Sequence, residues 1–138
     1  MIDSFSGQYR FLSNFYPCLV DYEGRYWPTV EHAFQAAKTL DQSEKSRIFN
    51  AVKPGDAKRL GRNVRLRPNW NQIRVEVMHT LVELKFREPA LRTKLIATHP
   101  MKLVEGNHWN DTFWGVCDGK GENQLGQILM MVRDSALL

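Results

Sequence analysis

Trp27-Pro28-Thr29-Val30-Glu31-His32-Ala33-Phe34-Gln35-Ala36-Ala37-Lys38 is the stretch that decides the fold. Pro28 excludes helix immediately before it, and the Thr29 hydroxyl is placed to accept from an otherwise orphaned backbone N–H. Alanine and straight-chain residues follow, so a helix starts near Val30. At about 100° per residue, Val30, Ala33, Phe34 and Ala37 share an apolar face, while Glu31, Gln35 and Lys38 fall on a stripe about 60° wide. An acid, an amide and an amine thus stand in line on an otherwise apolar helix. Ordinarily such a line is the solvated stripe of an amphipathic helix; the alternative is a row of chemically useful groups.

Toward the N-terminus, Cys18-Leu19-Val20-Asp21-Tyr22 and Arg25-Tyr26-Trp27 flank Glu23-Gly24 as a hairpin. Phe11-Leu12-Ser13-Asn14-Phe15-Tyr16-Pro17 before it is aromatic but not periodic, which fits an ordered loop. Toward the C-terminus, Ser43 is expected to cap a helix through about Val52, with Ile48, Phe49 and Val52 inward. Lys53-Pro54-Gly55-Asp56 interrupts, and a short helix from Ala57 to about Gly61 leads into Arg62. The longest helix follows Pro68, with Trp70, Ile73, Val77, Leu81 and Leu84 at helical spacing and an end near Arg87. Pro89 opens another helix to about Ala97. Beyond His99-Pro100, Lys102–Glu105 and Thr112–Val116 read as strands, and Asn123 is expected to cap a last helix with Leu125, Ile128, Leu129 and Val132 inward. With no repeat, linker or low-complexity tract, the pattern predicts a single α+β domain over residues 1–138, mostly helical with a small antiparallel sheet.

A chain of 138 residues, 43% hydrophobic and 25% charged, is long enough to bury a core without staples. No run approaches the roughly 18 apolar residues of a membrane span. Met1–Gly7 lacks a basic start and an apolar stretch, so no signal peptide is expected, and Cys18 and Cys117 fit no metal spacing. A reduced cytoplasmic protein is the default expectation. The net charge of +4 suits phosphate-bearing ligands or nucleic acid, although the basic residues are scattered.

No Walker loop, Rossmann fingerprint, nucleophile elbow or zinc motif occurs, and the four histidines share no ligand spacing, so neither metal nor cofactor is expected. His79, inside the long helix, reads as a packing or surface residue. Glu105-Gly106-Asn107, Asp111 and Phe113-Trp114-Gly115 set two carboxylates and two indoles (Trp109 and Trp114) within ten residues. The plain interpretation is an Asx-rich turn with core-packing tryptophans. The functional one is a stacking platform for a base, since ring and base both present π faces.

Ser13-Asn14-Phe15-Tyr16-Pro17, the Glu31…Phe34…Ala37-Lys38 helix, Gly61-Arg62, Trp70, Glu105-Gly106-Asn107…Asp111…Trp114-Gly115 and Asn123…Leu125-Gly126…Leu129-Met130 follow one another from about Phe11 to Arg133. In that order and spacing they resemble the NADAR-domain family, in particular its bacterial YbiA-type N-glycosidases. The resemblance implies hydrolysis of N-glycosidic bonds of ribosyl compounds. The substrate is either ADP-ribosylated guanine in DNA or RNA, or a phosphorylated ribosylamino-pyrimidine intermediate of riboflavin biosynthesis. One position departs from the family pattern: Asn69 stands where an acidic residue is expected before the tryptophan of the long helix.

Cleaving a ribosyl C1′–N bond builds positive charge on the sugar, which a carboxylate stabilises while a proton donor helps the nitrogen leave. Glu31 is the first candidate acid or base. The resemblance implies that Lys38 attacks an imine-like C1′ of a ring-opened ribosylamine as a Schiff-base nucleophile, which requires burial to lower its pKa. Asp111 is the expected second carboxylate, with Glu105 able to take that place. Asn14, Phe15 and Tyr16 are expected to line one wall; Trp109 and Trp114, with Asn107, the other. Gln35 is expected to hold ribose, and Arg62, with Lys58 or Arg59, a phosphate. Two other readings compete: a non-catalytic module that binds ADP-ribose or a modified nucleotide, and a sequence-independent nucleic-acid binder.

Overall fold

The helix expected after Thr29 forms as α1, Val30–Ala37, in a computed structural model that describes residues 1–138. Thr29 caps it, its hydroxyl accepting from the His32 amide at 3.1 Å. His32 is a core residue: its Nε2 donates to the Ala51 carbonyl at 2.9 Å, and its Nδ1 shares a 2.8 Å hydrogen bond with the Thr29 hydroxyl. All eight residues of α1 are buried, Glu31 and Gln35 included, so the line of polar groups is not a solvated stripe.

The contacts of the chain gather into two units, Asn14–Lys85 and Met1–Ser13 with Phe86–Leu138. In the first, β1 (Val20–Tyr22) pairs antiparallel with β2 (Arg25–Trp27) across the Glu23-Gly24 turn, both of whose residues have positive φ. Around α1 pack α2 (Gln42–Phe49), α3 (Pro54–Gly61) and α4 (Trp70–Lys85). Asp41, rather than Ser43, caps α2, its carboxylate accepting from the Glu44 amide at 3.0 Å. That helix ends at Phe49, which leaves Val52 outside it and 89% exposed instead of inward. α3 begins earlier than its alanine suggests because Pro54 is preorganised for a first helical turn. On α4, Trp70, Val77, Met78, Leu81 and Val82 are buried, and the Trp70 ring lies 5.1 Å from that of Phe34 on α1.

The second unit contains a 3-10 helix (Gly7–Leu12), α5 (Pro89–Ile96, capped by the Glu88 carboxylate) and α6 (Gln124–Ala136) around Leu95, Leu103, Leu125, Ile128 and Leu129. Its strands differ from the expected pair. β3 (Gly106–Asn107) and β4 (Val116–Cys117) pair in parallel, and Lys102–Glu105 contributes only a bridge between Leu103 and Ile2. The reason is competition for backbone donors: Asn107 Oδ1 accepts from the Trp109 and Asp111 amides, and Asp111 Oδ1 from those of Phe113 and Trp114. Amides engaged in this way are not offered to a hairpin ladder.

Asn123 precedes α6 but makes no capping bond. It sits in the left-handed region at φ 54°, where its Oδ1 accepts from the Glu105 amide and its Nδ2 donates to the Leu103 carbonyl, both at 2.9 Å. Asn123→Ala orphans both groups and leaves an alanine in a left-handed conformation that asparagine tolerates better, so it is expected to lower stability by about 2–4 kcal/mol. Urea unfolding measures this, and a loss under about 1 kcal/mol contradicts the assignment.

Candidate active site

Within the Asn14–Lys85 unit, the line on α1 begins where the loop before the hairpin holds it: the Glu31 amide donates to the Asn14 carbonyl at 3.1 Å. One turn on, Gln35 Nε2 donates to Glu31 Oε1 at 3.2 Å. Lys38 is the C-cap of α1, where the final carbonyls have no partners inside the helix. Cations take them instead. Lys45 Nζ donates to the Ala36 carbonyl at 3.1 Å and Arg67 Nη1 to that of Ala37 at 3.3 Å. The Arg67 amide donates to the Lys38 carbonyl at 2.8 Å. The backbone that carries Lys38 is therefore fixed from outside the helix.

Lys38 itself is half-buried. Burial pushes its amine below the ordinary lysine range, the Glu31 carboxylate draws it back up, and Lys58 and Arg62 push it down again. One acid and two further cations thus act on one amine. Lys58 lies on α3 and is half-buried, and Arg62 caps that helix and is exposed. α3 approaches α1 at Gly61, where a β-carbon would collide with Gln35 Oε1.

The other residues singled out in this unit have these places. Asn14 Nδ2 donates to Met78 Sδ at 3.5 Å, Phe15 is exposed, and Tyr16 is half-buried with Lys85 Nζ 5.7 Å from its ring centroid. Asn69 is exposed at the start of α4, its carbonyl accepting from the Gln72 and Ile73 amides. His79 faces Glu83 at 3.0 Å on the same helix. Lys85 went unnoticed in the sequence; it is fully buried, and burial pushes it down to about 8. Its signal was register, because residues 77, 81 and 85 lie on one helical face. Cys18 and Cys117 are both free thiols.

In the other unit, Glu105, Asn107 and Asp111 form a bonded cluster. Asn107 Nδ2 donates to Glu105 Oε2 at 3.2 Å and to the Asp111 carbonyl at 2.9 Å, and Gly115 lies against the Glu105 and Asn107 side chains. One Asp111 oxygen holds the Phe113 and Trp114 amides. Trp109 is 57% exposed, whereas Trp114 is half-buried edge-on to Phe113 with ring centroids 4.8 Å apart.

The family model of the NADAR domain matches residues 3–136. The chain belongs to the NADAR domain family. The N-glycosidase YbiA of Escherichia coli (strain K12) is 42% identical over 135 residues, covering 95% of this NADAR domain and 84% of that protein. An N-glycosidase of Nostoc punctiforme is 37% identical over 133 residues, covering 91% and 85%. A riboflavin biosynthesis protein of Vibrio vulnificus is 43% identical over 128 residues; the match covers 90% of this chain and 35% of that longer one. The NMR structure of E. coli YbiA superposes with a TM-score of 0.87 at 40% identity, covering 99% of this chain and 84% of that one. The α+β class is thereby shown.

Proposed function

We propose that this NADAR domain cleaves a ribosyl C1′–N bond with Lys38 as nucleophile and Glu31 as the acid and base beside it. The protein is a hydrolase acting on N-glycosyl bonds, as its N-glycosidase relatives are named. The observation that carries the finer reading is a half-buried amine, lowered by burial, at the end of a core helix that also bears an acid. A solvated stripe needs neither feature.

The chemistry follows from those groups. The glycosidic nitrogen forms a C1′=N bond as the ring opens, and O4′ takes a proton supplied by Glu31. Neutral Lys38 adds its lone pair to C1′, and Glu31 carries the Nζ proton to the base nitrogen, which leaves as the amine. The C1′=Nζ linkage then adds water, Glu31 taking a water proton, and collapses to aldehyde and lysine. One C–N bond is broken and one water consumed.

Lys58 and Arg62 favour a substrate that carries phosphate. ADP-ribosylated guanine in a nucleic acid and a phosphorylated ribosylamino-pyrimidine both meet that requirement, in a cytoplasmic setting and without cofactor. Asp111 or Glu105 as second carboxylate, Asn107 as their partner, and Trp109 and Trp114 as stacking surfaces belong to the same proposal, as do Asn14, Phe15 and Tyr16.

A mass-spectrometric assay tests it. The protein is incubated with an oligonucleotide bearing ADP-ribosylated guanine, and separately with a ribosylamino-pyrimidine phosphate, with and without borohydride. Release of ADP-ribose from the first probe or of ribose phosphate from the second is expected, together with a reduced adduct on the peptide containing Lys38. Glu31→Gln is expected to lower kcat by about 10²–10⁴-fold. Tight binding without product from a folded sample replaces the proposal with the binding-module reading.

A further inference from the structure

Gln35 carries a contradiction that its surroundings explain. Its side chain is buried at 4% exposure, yet Oε1 has no hydrogen-bond partner. An orphaned buried oxygen is costly, and such groups are uncommon in folded proteins. Turning the amide over would not serve the ionised acid: a carboxylate only accepts, so the NH₂ end must face Glu31 Oε1, 3.2 Å away, whenever Glu31 acts as a base. The oxygen is then directed at the bare Cα of Gly61, where an added β-carbon would collide with it and lie 2.7 Å from the amide carbon. The fold gives up one hydrogen bond and one side chain to keep this amide aimed at Glu31.

We propose that Gln35 is a positioning residue for Glu31, seated by the absence of a side chain at Gly61. The inference rests on the functional reading above and specifies how its acid is held. In this role Gln35 acts through Glu31 rather than by holding ribose: it donates to one Glu31 oxygen and so sets the direction of the other. What separates this role from simple packing is that loss of the amide relieves one orphaned oxygen but takes the donor from Glu31, so the acid is released at little net cost to the fold.

Steady-state kinetics on the ADP-ribosylated guanine oligonucleotide and the ribosylamino-pyrimidine phosphate, with thermal unfolding of the same samples, test this. Gln35→Leu is expected to lower kcat about 10–100-fold with KM within about 3-fold, while Tm falls by no more than a few degrees, because the relieved Gln35 oxygen offsets the donor lost to Glu31. Gly61→Ala is expected to lower both kcat and Tm, and most of its Tm penalty should vanish when combined with Gln35→Ala. A Gln35→Leu enzyme that keeps kcat within about 3-fold of the parent overturns the inference, as does one that loses KM instead of kcat or loses Tm in step with kcat. An inactive Lys38→Ala beside a fully active Gln35→Leu overturns this inference alone. Inactivity of the parent toward both probes overturns the functional reading and this one with it.

Discussion

Lys38→Ala lowers kcat/KM by at least about 10³-fold and leaves the thermal midpoint within a few degrees of the parent. Both halves of that result follow from where the amine sits. It is the C-cap of α1, but the helix end is held by Lys45 and Arg67 through backbone carbonyls and by the Arg67 amide, none of which uses the Lys38 side chain. The variant therefore removes the proposed nucleophile and not the clamp. Lys38→Arg is expected to be equally inactive, since a guanidinium does not lose its proton in a protein. The pH dependence has a definite sign. In the proposed step only neutral Lys38 attacks, so kcat/KM is expected to rise with pH along a limb set by the lysine, which burial, Lys58 and Arg62 place below the ordinary lysine range. Arg62→Ala relieves part of the repulsion, raises the Lys38 pKa and moves the limb to higher pH. Parent-like turnover in a folded Lys38→Ala sample removes the Schiff-base step.

The largest pH-dependent stability effect is expected at Lys85. Burial takes this amine from an ordinary 10.5 to about 8 in the folded protein, with the Cys18 thiol drawing it up and the Tyr16 ring facing it at 5.7 Å. Between pH 8 and 10.5 the unfolded chain keeps a proton that the folded chain has lost, so raising the pH through this window favours folding. Below pH 8 both states are charged and the full penalty is present. That lowering to about 8 corresponds to about 3 kcal/mol. In denaturant titrations at several pH values, the stability of the parent relative to Lys85→Met is expected to climb by about that amount from pH 8 to 10.5. A difference that stays flat across the window contradicts a desolvated amine.

Local chemistry made much of the fold legible. Thr29 as a cap, Pro89 as a first-turn residue and the apolar spacing from Trp70 each act within a few residues, and the structure realises them. What misled were choices between equivalent local options. Asp41 and Ser43 are both capable caps, and only the seating of Glu44, whose carboxylate accepts from the Thr39 hydroxyl and the Arg65 amide, decides between them. The apolar runs at 102–105 and 112–116 satisfy a strand pattern, but side chains of Asn107 and Asp111 claim the amides first. For the site, spacing placed Glu31, Gln35 and Lys38 in line but said nothing of burial, because that depends on α2, α3 and α4 closing over a helix whose own composition is amphipathic. The burial of Glu31 and the role of Gly61 are properties of helices brought together across the sequence.

The burial of α1 on every side has a consequence for descent. Glu31 and Gln35 belong to the core, so change at either is judged twice, once by folding and once by turnover. Lys38 alone of the three stands partly outside it. A lineage released from selection for cleavage would still be held to the acid by the packing around it, while the lysine drifted. On the proposed mechanism, an enzyme of this build is one substitution from a folded, silent binder of its former substrate.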